Sequence, residues 1–271
     1  MPHTLCFIGG GNMARSLIGG LIARGRDAKL MTVADPMPAQ LESLQRQFGV
    51  RGTTSNLEAA TGADVIVLAV KPQEMRTVTT ALAGALPKQP LLISVAAGIR
   101  ASDIRHWSKG APVVRCMPNR PALEGCGMTG LFATPEVSAE HRRIAADLLS
   151  AVGKTLWLEQ EAQMDVVTAV SGSGPAYFFL LIEMLEQAGI QLGLSPETSR
   201  QLAVETAYGS GRMARESSDS PATLRQQVTS KGGTTQAALD VLESKEVRAI
   251  FSAAVAAAAR RSAELADEFG G

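Results

Sequence analysis

The feature that most constrains the fold is a regular alternation of short apolar runs and helix-forming segments in the first half of the chain. Five runs of about five to seven residues, rich in β-branched side chains, read TLCFIG, KLMTVAD, DVIVLAV, LLISV and PVVRCM. Strands that are apolar on both faces need cover on both faces, and the intervening segments, such as 12–24, have helical composition. The alternation therefore predicts a parallel sheet with helices on each side.

The second half of the chain changes character near residue 160, after which we expect helices and no strands. Helical segments are predicted over residues 176–189, 196–216, 234–245 and 247–267. The stretch 177–185 is apolar on nearly every face, so this helix is expected to be buried all round. A lone helical bundle is one way to bury it and a second subunit is another; we favour a dimer. The predicted domains are 1–160 and 161–271.

A glycine motif follows the first apolar run and opens the first helix. In LCFIGGGNMA, residues Gly9, Gly11 and Ala14 fit the pattern G-x-G-x-x-G/A. The glycines permit a tight turn and a close approach of the backbone to a pyrophosphate, and the helix N-terminus offers unpaired N–H groups to the anion. The predicted fold class is thus an α/β N-terminal Rossmann-type domain with a parallel sheet, followed by an all-α C-terminal dimerisation domain.

The same pattern occurs a second time, at Gly125, Gly127 and Gly130 in GCGMTG. The apolar run LFAT follows this match, whereas a dinucleotide motif would open a helix there. We therefore interpret the second match as a strand turn.

Cofactor contacts are expected where the strands end. Asp35 closes the second run, where an acid normally meets the ribose 2′-OH, and a free carboxylate there would repel a 2′-phosphate. This mildly favours NADH, although NADPH stays open. The ends of two further strands are placed to line the nicotinamide half, unless they are ordinary βα loops: Val70, Lys71, Pro72, Ala96 and Ala97.

Composition argues against several other classes of protein. Lys plus Arg equals Asp plus Glu, at 26 each, so no bulk charge recruits nucleic acid or an anionic membrane. The three cysteines form no C-x-x-C pair and the three histidines share no metal-ligand spacing, so neither a disulfide frame nor a metal site is expected. We see no signal sequence and no apolar run of membrane length, and expect a cytoplasmic protein.

The second domain is poor in the acids and bases that most dehydrogenases use. Its only lysines are Lys231 and Lys245, and no histidine lies at a strand end or in a glycine-rich turn. A hydroxyacid or alcohol dehydrogenase needs such a group to exchange a proton with the substrate oxygen. Reduction of a C=N bond fits better, because the iminium is already protonated and needs only hydride and orientation.

A second glycine-rich turn lies in VTSKGGTTQAALDVLE, residues 228–243, and leads into a helix without a preceding strand. Its hydroxyls, its bare N–H groups and the helix dipole suit a carboxylate as well as a phosphate. Because the first motif serves the cofactor phosphates, we interpret this turn as a substrate site. The alternative is a structural helix cap.

Taken along its whole length, the sequence resembles the Δ1-pyrroline-5-carboxylate reductases of proline biosynthesis. The resemblance is carried by FIGGGNMA, AVKP, SVAAGI, VRCMPN, SGSGPAY and above all PATLRQQVTSKGGTTQAALDVLE, which is highly specific. It implies hydride transfer from NADPH or NADH to 1-pyrroline-5-carboxylate, giving L-proline. It also implies a helical domain that interlocks two subunits, often within a larger ring of dimers.

The resemblance also implies roles for individual residues. Thr235 matches the proposed proton donor to the ring nitrogen, and Glu161 would lie near that nitrogen, where a carboxylate favours the charged iminium. The implied substrate-binding residues are Glu161, Ser230, Gly233, Thr234 and Thr235. The cofactor contacts that the resemblance implies are Gly10, Asn12, Met13, Asn56, Val70, Lys71 and Ala97. With the positions predicted above from the glycine motif and the strand ends, the predicted cofactor-binding residues are Gly9, Gly10, Gly11, Asn12, Met13, Asp35, Asn56, Val70, Lys71, Pro72, Ala96 and Ala97.

Two other functions stay open at this point. A β-hydroxyacid dehydrogenase shares the two-domain plan, but it would need an inward-facing lysine on the helix after SGSG, and residues 177–188 contain none. A non-catalytic dinucleotide sensor would have no use for a second anion site. Three positions depart from the family pattern, namely Asp35, Arg120 and Lys231.

Overall fold

The computed structural model describes residues 3–84 and 90–270. Its strands are β1 Leu5–Ile8, β2 Met31–Ala34, β3 Arg51–Thr53, β4 Val65–Leu68, β5 Leu91–Ser94, β6 Val113–Met117, β7 Gly127–Ala133 and β8 Gly153–Trp157. They form one eight-stranded sheet in the order β3-β2-β1-β4-β5-β6-β7-β8. The order reverses beside β1, which creates the crevice where open α/β sheets bind ligands.

Helices connect and follow these strands. They are α1 Asn12–Ala23, α2 Pro38–Phe48, α3 Asn56–Ala60, α4 Pro72–Ala83, α5 Ala101–Trp107, α6 Ala139–Ser150, α7 Gln163–Val167, α8 Gly174–Gln191, α9 Pro196–Glu216, α10 Pro221–Gln227, α11 Thr234–Ser244 and α12 Val247–Gly270. A π-helical turn, Thr168–Gly172, follows α7. The predicted fold class is confirmed.

The sheet separates two apolar cores because successive strand residues point to opposite faces. In β1, Leu5 and Phe7 belong to the core on one face, while Cys6 and Ile8 belong to the core on the other. The sheet is parallel from β3 to β6, but β7 pairs antiparallel with β6 and parallel with β8. The prediction of a wholly parallel sheet was therefore wrong at this edge.

The close contacts of β7 explain the second glycine motif. A Cβ atom added to Gly127 would lie 2.8 Å from the Ala122 Cβ, and one added to Gly130 would lie 2.9 Å from the Val167 Cγ1. These glycines allow the strand to pack closely against its neighbours, and Gly127 begins β7. The interpretation of this motif as a strand turn is confirmed.

Compactness divides the chain into two units, one formed by residues 1–172 with 258–271 and the other by residues 173–257. The long helix α12 begins in the second unit and ends in the first. The domain boundary after residue 160 was drawn from sequence character, and it stays a prediction.

Within the second unit, α8 and α9 pack closely at Gly189, where an added Cβ would lie 3.2 Å from the Ser199 Cβ. The Tyr177 and Phe251 rings meet edge to face, with centroids 5.6 Å apart. Much of α8 is nevertheless open to solvent, with Phe178 67% and Phe179 61% exposed. The second unit of one chain thus leaves these faces of α8 uncovered, which excludes burial in a lone bundle and leaves burial by a second subunit as the prediction.

The helical stretch Gln163–Gln191 is long and apolar enough, by length and composition alone, to cross a membrane, and 11% of its most apolar window is buried. The sequence-based expectation that no apolar stretch reaches membrane length was therefore wrong. The reason is that α7, the π-helical turn and α8 run on as one stretch.

Candidate active site

The loops predicted to bind the cofactor lie side by side at the carboxyl edge of the sheet. Three backbone hydrogen bonds continue the strand ladder into them: Gly9 donates to Ala34 at 2.8 Å, Ala69 to Ile8 at 2.8 Å, and Val95 to Leu68 at 3.1 Å. The loops after β2, β1, β4 and β5 are thereby held in that order. The first unit thus brings together the stretches that contain the predicted cofactor-binding residues other than Asn56, which follows β3.

The glycine turn after β1 has the backbone that an anion site requires. Gly9 adopts φ +98°, and an added Cβ would lie 2.5 Å from the Ala69 carbonyl oxygen, so only glycine fits. Gly11 is the N-cap of α1, and a Cβ added there would meet nothing within 4 Å. Among the described residues, no side chain caps this helix start. The N–H groups of its first turn therefore lack a side-chain acceptor in the described part of the chain.

Asp35 is tied to this turn. Its carboxylate accepts a hydrogen bond from the Gly10 N–H at 2.8 Å and another from the Met37 N–H at 2.9 Å. Gln40 donates from its side-chain amide to the Gly10 carbonyl. A half-buried negative charge is thus fixed beside the glycine turn, and the sequence did not suggest the part played by Gln40.

The loops after β4 and β5 present small or short side chains. Lys71 is exposed and is the N-cap of α4, which begins with Pro72. Ala96 is 7% exposed, whereas Ala97 is exposed to solvent. Asn56 is the first residue of α3 and follows the Ser55 cap, whose hydroxyl accepts from the Glu58 N–H. Their contacts with a cofactor stay a prediction.

Glu161 is paired within the first unit. One carboxylate oxygen accepts from Arg115 Nη1 at 2.9 Å and from the Ala101 N–H at 2.6 Å. Arg115 is 3% exposed on β6, so this carboxylate balances a charge that has left water. The role of Glu161 beside a substrate nitrogen stays a prediction. A single arginine inside the apolar run PVVRCM was the signal that could have revealed the pair.

Asn119 links the end of β6 to the π-helical turn. Its side-chain oxygen accepts from the Met128 N–H at 2.9 Å, and its amide donates to the Ser171 hydroxyl at 3.2 Å. Cys116, on the same strand, is 1% exposed, and burial raises the pKa of its thiol. Cys116 therefore packs as a strand residue and is not an exposed nucleophile.

The glycine–threonine turn lies in the second unit. Gly232 adopts φ +72°, and Gly233 is the N-cap of α11. A Cβ on Gly233 would collide with the Ser230 hydroxyl, so this oxygen lies directly over the helix start. Within the described part of the chain, no side chain caps α11. The Thr235 hydroxyl therefore does not cap this helix, and the role of the turn as a substrate site stays a prediction.

A metal site would need a cluster of ligating side chains. Over residues 3–84 and 90–270, no group of three or more His, Cys, Asp or Glu side chains is placed to hold an ion.

Two family models match the chain. Residues 161–265 match a model described as pyrroline-5-carboxylate reductase dimerisation. Residues 4–98 match a model described as NADP oxidoreductase coenzyme F420-dependent. The first contains the glycine–threonine turn and the second contains the glycine turn after β1.

Similar proteins cover the chain almost from end to end. A pyrroline-5-carboxylate reductase from Pseudomonas aeruginosa is 49% identical over 267 residues, which are 98% of each chain. The solved structure of such a reductase from Coxiella burnetii is 42% identical, with a TM-score of 0.94 over 98% of this chain and 99% of that one. A pyrroline carboxylate reductase from Plasmodium falciparum, solved with NADP bound, is 29% identical, with a TM-score of 0.85 over 97% and 98%. The two glycine turns, the fold and these relatives together show that the chain belongs to the pyrroline-5-carboxylate reductase family.

Proposed function

We propose that this chain reduces Δ1-pyrroline-5-carboxylate to L-proline with NADPH or NADH, the last step of proline biosynthesis. The single observation that carries the proposal is the pair of uncapped, glycine-led helix starts, one at Gly11 and one at Gly233. One suits a dinucleotide pyrophosphate and the other suits the carboxylate of a small substrate. Near-complete coverage by the Pseudomonas aeruginosa and Coxiella burnetii reductases supports it.

The residues of the first unit fit a dinucleotide. The open space above Gly11 and the left-handed turn at Gly9 accept a close backbone approach by a pyrophosphate. Residues 9–13 would hold the pyrophosphate, Asp35 and Asn56 the adenosine ribose, and the loops from Val70 and Ala96 the nicotinamide half. When bound, NAD(P)H supplies the hydride.

The residues of the second unit would hold and orient the substrate. The N–H groups at Gly233 and Thr234 would bind the substrate carboxylate with help from the Ser230 hydroxyl, because the start of α11 carries partial positive charge. The Thr235 hydroxyl, which forms no capping bond in the described part of the chain, would donate a hydrogen bond to the lone pair that the ring nitrogen regains as hydride reaches the ring carbon. Binding the imine as its charged form makes the ring carbon a better hydride acceptor, so no strong acid is required.

The apolar surface of α8 would be covered by a second copy of the chain. The dimerisation model spans α8, which favours a protein partner over lipid for the exposed phenylalanines. We further propose that dimers assemble into a larger ring and that the enzyme works in the cytoplasm, without nucleic acid or membrane.

The test has two arms with the purified protein: oxidation of NADPH and of NADH by Δ1-pyrroline-5-carboxylate, and reduction of NADP+ and of NAD+ by a β-hydroxyacid. Turnover that depends on the cyclic imine supports the proposal. Turnover of the hydroxyacid alone would identify a β-hydroxyacid dehydrogenase, and cofactor binding without any turnover would identify a dinucleotide sensor.

A further inference from the structure

The loop that follows β5 has few side-chain atoms with which to fix its own conformation. Ala96 and Ala97 carry only methyl groups, and the next residue, Gly98, turns the backbone with φ +71°. Glycine is the residue with the most backbone freedom, so a loop of this composition needs support from its surroundings. Directly beyond it, Ile99 is completely buried and α5 begins at Ala101.

That support comes from the end of α12. A Cβ added to Gly98 would lie 3.4 Å from the Leu265 Cβ and 3.4 Å from a ring carbon of Phe269. The Phe269 ring is partly buried against the core that contains Ile99. Arg100, at the far end of the loop, forms an ion pair with Asp267. We call Leu265, Asp267 and Phe269 the C-terminal brace.

The brace is itself anchored within the first unit. Ser262 is 4% exposed and donates to the Asp165 carboxylate at 2.7 Å, one turn before Leu265. Ala266 is 1% exposed. These contacts hold the end of α12 in place within the first unit. The Gly98 turn therefore packs against a surface that is itself anchored.

We propose that the C-terminal brace positions the β5–α5 loop for the nicotinamide half of the cofactor, with Phe269 as its main positioning residue. The inference rests on the proposed function of the first unit as an NAD(P)H site. The described contacts of the pyrophosphate turn, residues 9–13, are with the end of β2, with α2 and with the end of β4. The brace is not among them. The brace should therefore affect the nicotinamide half of the ligand and leave the ADP-ribose half unaffected.

The test compares equilibrium binding of NADH with that of ADP-ribose, which lacks nicotinamide, by calorimetry. Phe269→Ala should weaken NADH binding roughly tenfold and leave ADP-ribose binding unchanged, because a shift of a positioning loop by a fraction of an ångström has effects of this order. Phe269→Leu keeps an apolar contact and should restore most of the affinity. The matched control is Phe132→Ala, which removes an equal ring from β7 that packs against the same core and should not change the binding of either ligand.

A second variant does not depend on the core remaining folded. Asp267 is 70% exposed, so Asp267→Asn removes the ion pair with Arg100 without opening a cavity. It should weaken NADH binding by about threefold, with ADP-ribose again unaffected, while Glu264→Gln on the same helix should change neither.

The outcomes separate the two proposals. The brace proposal is overturned if Phe269→Ala weakens the binding of NADH and of ADP-ribose equally. It is also overturned if NADH affinity is unchanged in both Phe269→Ala and Asp267→Asn. If the wild-type protein binds neither ligand, the proposed function fails first, and the brace with it. Selective loss of NADH affinity, rescued by Phe269→Leu, supports both.

Discussion

The cofactor preference of the enzyme should depend on Asp35, whose carboxylate has two separable tasks. It accepts hydrogen bonds from the N–H groups of Gly10 and Met37, and it places a negative charge beside the glycine turn. Asp35→Ser removes the charge and most of the hydrogen bonding. Loss of the charge should affect NADPH and NADH differently, whereas loss of the hydrogen bonds should affect both cofactors alike.

The magnitude of the charge effect follows from Coulomb's law. At about 5 Å in water, a carboxylate and one unit of phosphate charge repel by about 0.8 kcal/mol. A 2′-phosphate carries about 1.5 to 2 negative charges at pH 7, so NADPH is disfavoured by about 1.2–1.6 kcal/mol. Removing the carboxylate should therefore raise the ratio of kcat/KM for NADPH over NADH about tenfold. Loss of the two hydrogen bonds, worth about 1 kcal/mol each, should lower both values.

The assay is steady-state kinetics with each cofactor at saturating Δ1-pyrroline-5-carboxylate. Asp27→Ser is the control, because the Asp27 carboxylate also accepts a backbone N–H, that of Lys29 at 2.9 Å, but at the opposite end of β2. It should leave the cofactor ratio unchanged. If Asp35→Ser lowers both values equally and the ratio stays at that of the wild type, the carboxylate only fixes the glycine turn, and the reasoning is refuted.

Four further outcomes are expected. Thr235→Val should lose roughly 10²-fold or more in kcat/KM, while Thr235→Ser keeps most activity. Because Gly233 is the N-cap of α11, the melting temperature of both variants should barely change. Near-normal turnover of the Val variant would contradict this expectation. In light scattering the wild type should exceed twice 28.4 kDa, and Phe178→Asp should shift the mass towards 28.4 kDa. Ellman's reagent should modify Cys126 alone in the native protein, because burial raises the pKa of Cys6 to about 12 and also raises that of Cys116; three rapidly reacting thiols would show that the cores open. Burial also raises the pKa of the Asp103 carboxyl, so the folded chain loses stability as the pH rises through that pKa. Asp103→Asn should therefore raise the melting temperature at pH 7 but not below about pH 4. The same difference between variant and wild type at both pH values would contradict this expectation.

The parts of the fold that could be predicted from the sequence are those with a strong local pattern. The runs that became β1, β2, β4, β5 and β6 are apolar on both faces, and the glycine motif stands between a strand and a helix. In contrast, β3 is three residues long and β8 alternates between exposed and half-buried positions, so neither produces a continuous apolar run. Both lie at the edges of the sheet, where less burial is required.

The contacts that were missed connect residues far apart in the chain. Arg115 and Glu161 are 46 positions apart, and Arg100 and Asp267 are 167 positions apart. Local periodicity carries no information about such pairs, because they depend on how the finished sheet brings its edges and loops together. The substrate turn was predictable in kind, since glycines and hydroxyls before a helix are a local signal. The structure added that Gly233, and no hydroxyl, occupies the cap position.

The division of the chain has a consequence for biosynthesis on the ribosome. The first compact unit is not continuous in sequence, because its last part, residues 258–271, is separated from the rest by the whole second unit. The nascent sheet can form while the helices of the second unit are still being translated, but the loop after β5 meets Phe269 only once that residue has been synthesised. Closing so long a loop adds an entropic cost and delays the contact. We therefore expect the nascent chain to acquire its complete nicotinamide-binding surface only after residue 269 has emerged from the ribosome, when the pyrophosphate turn has already formed.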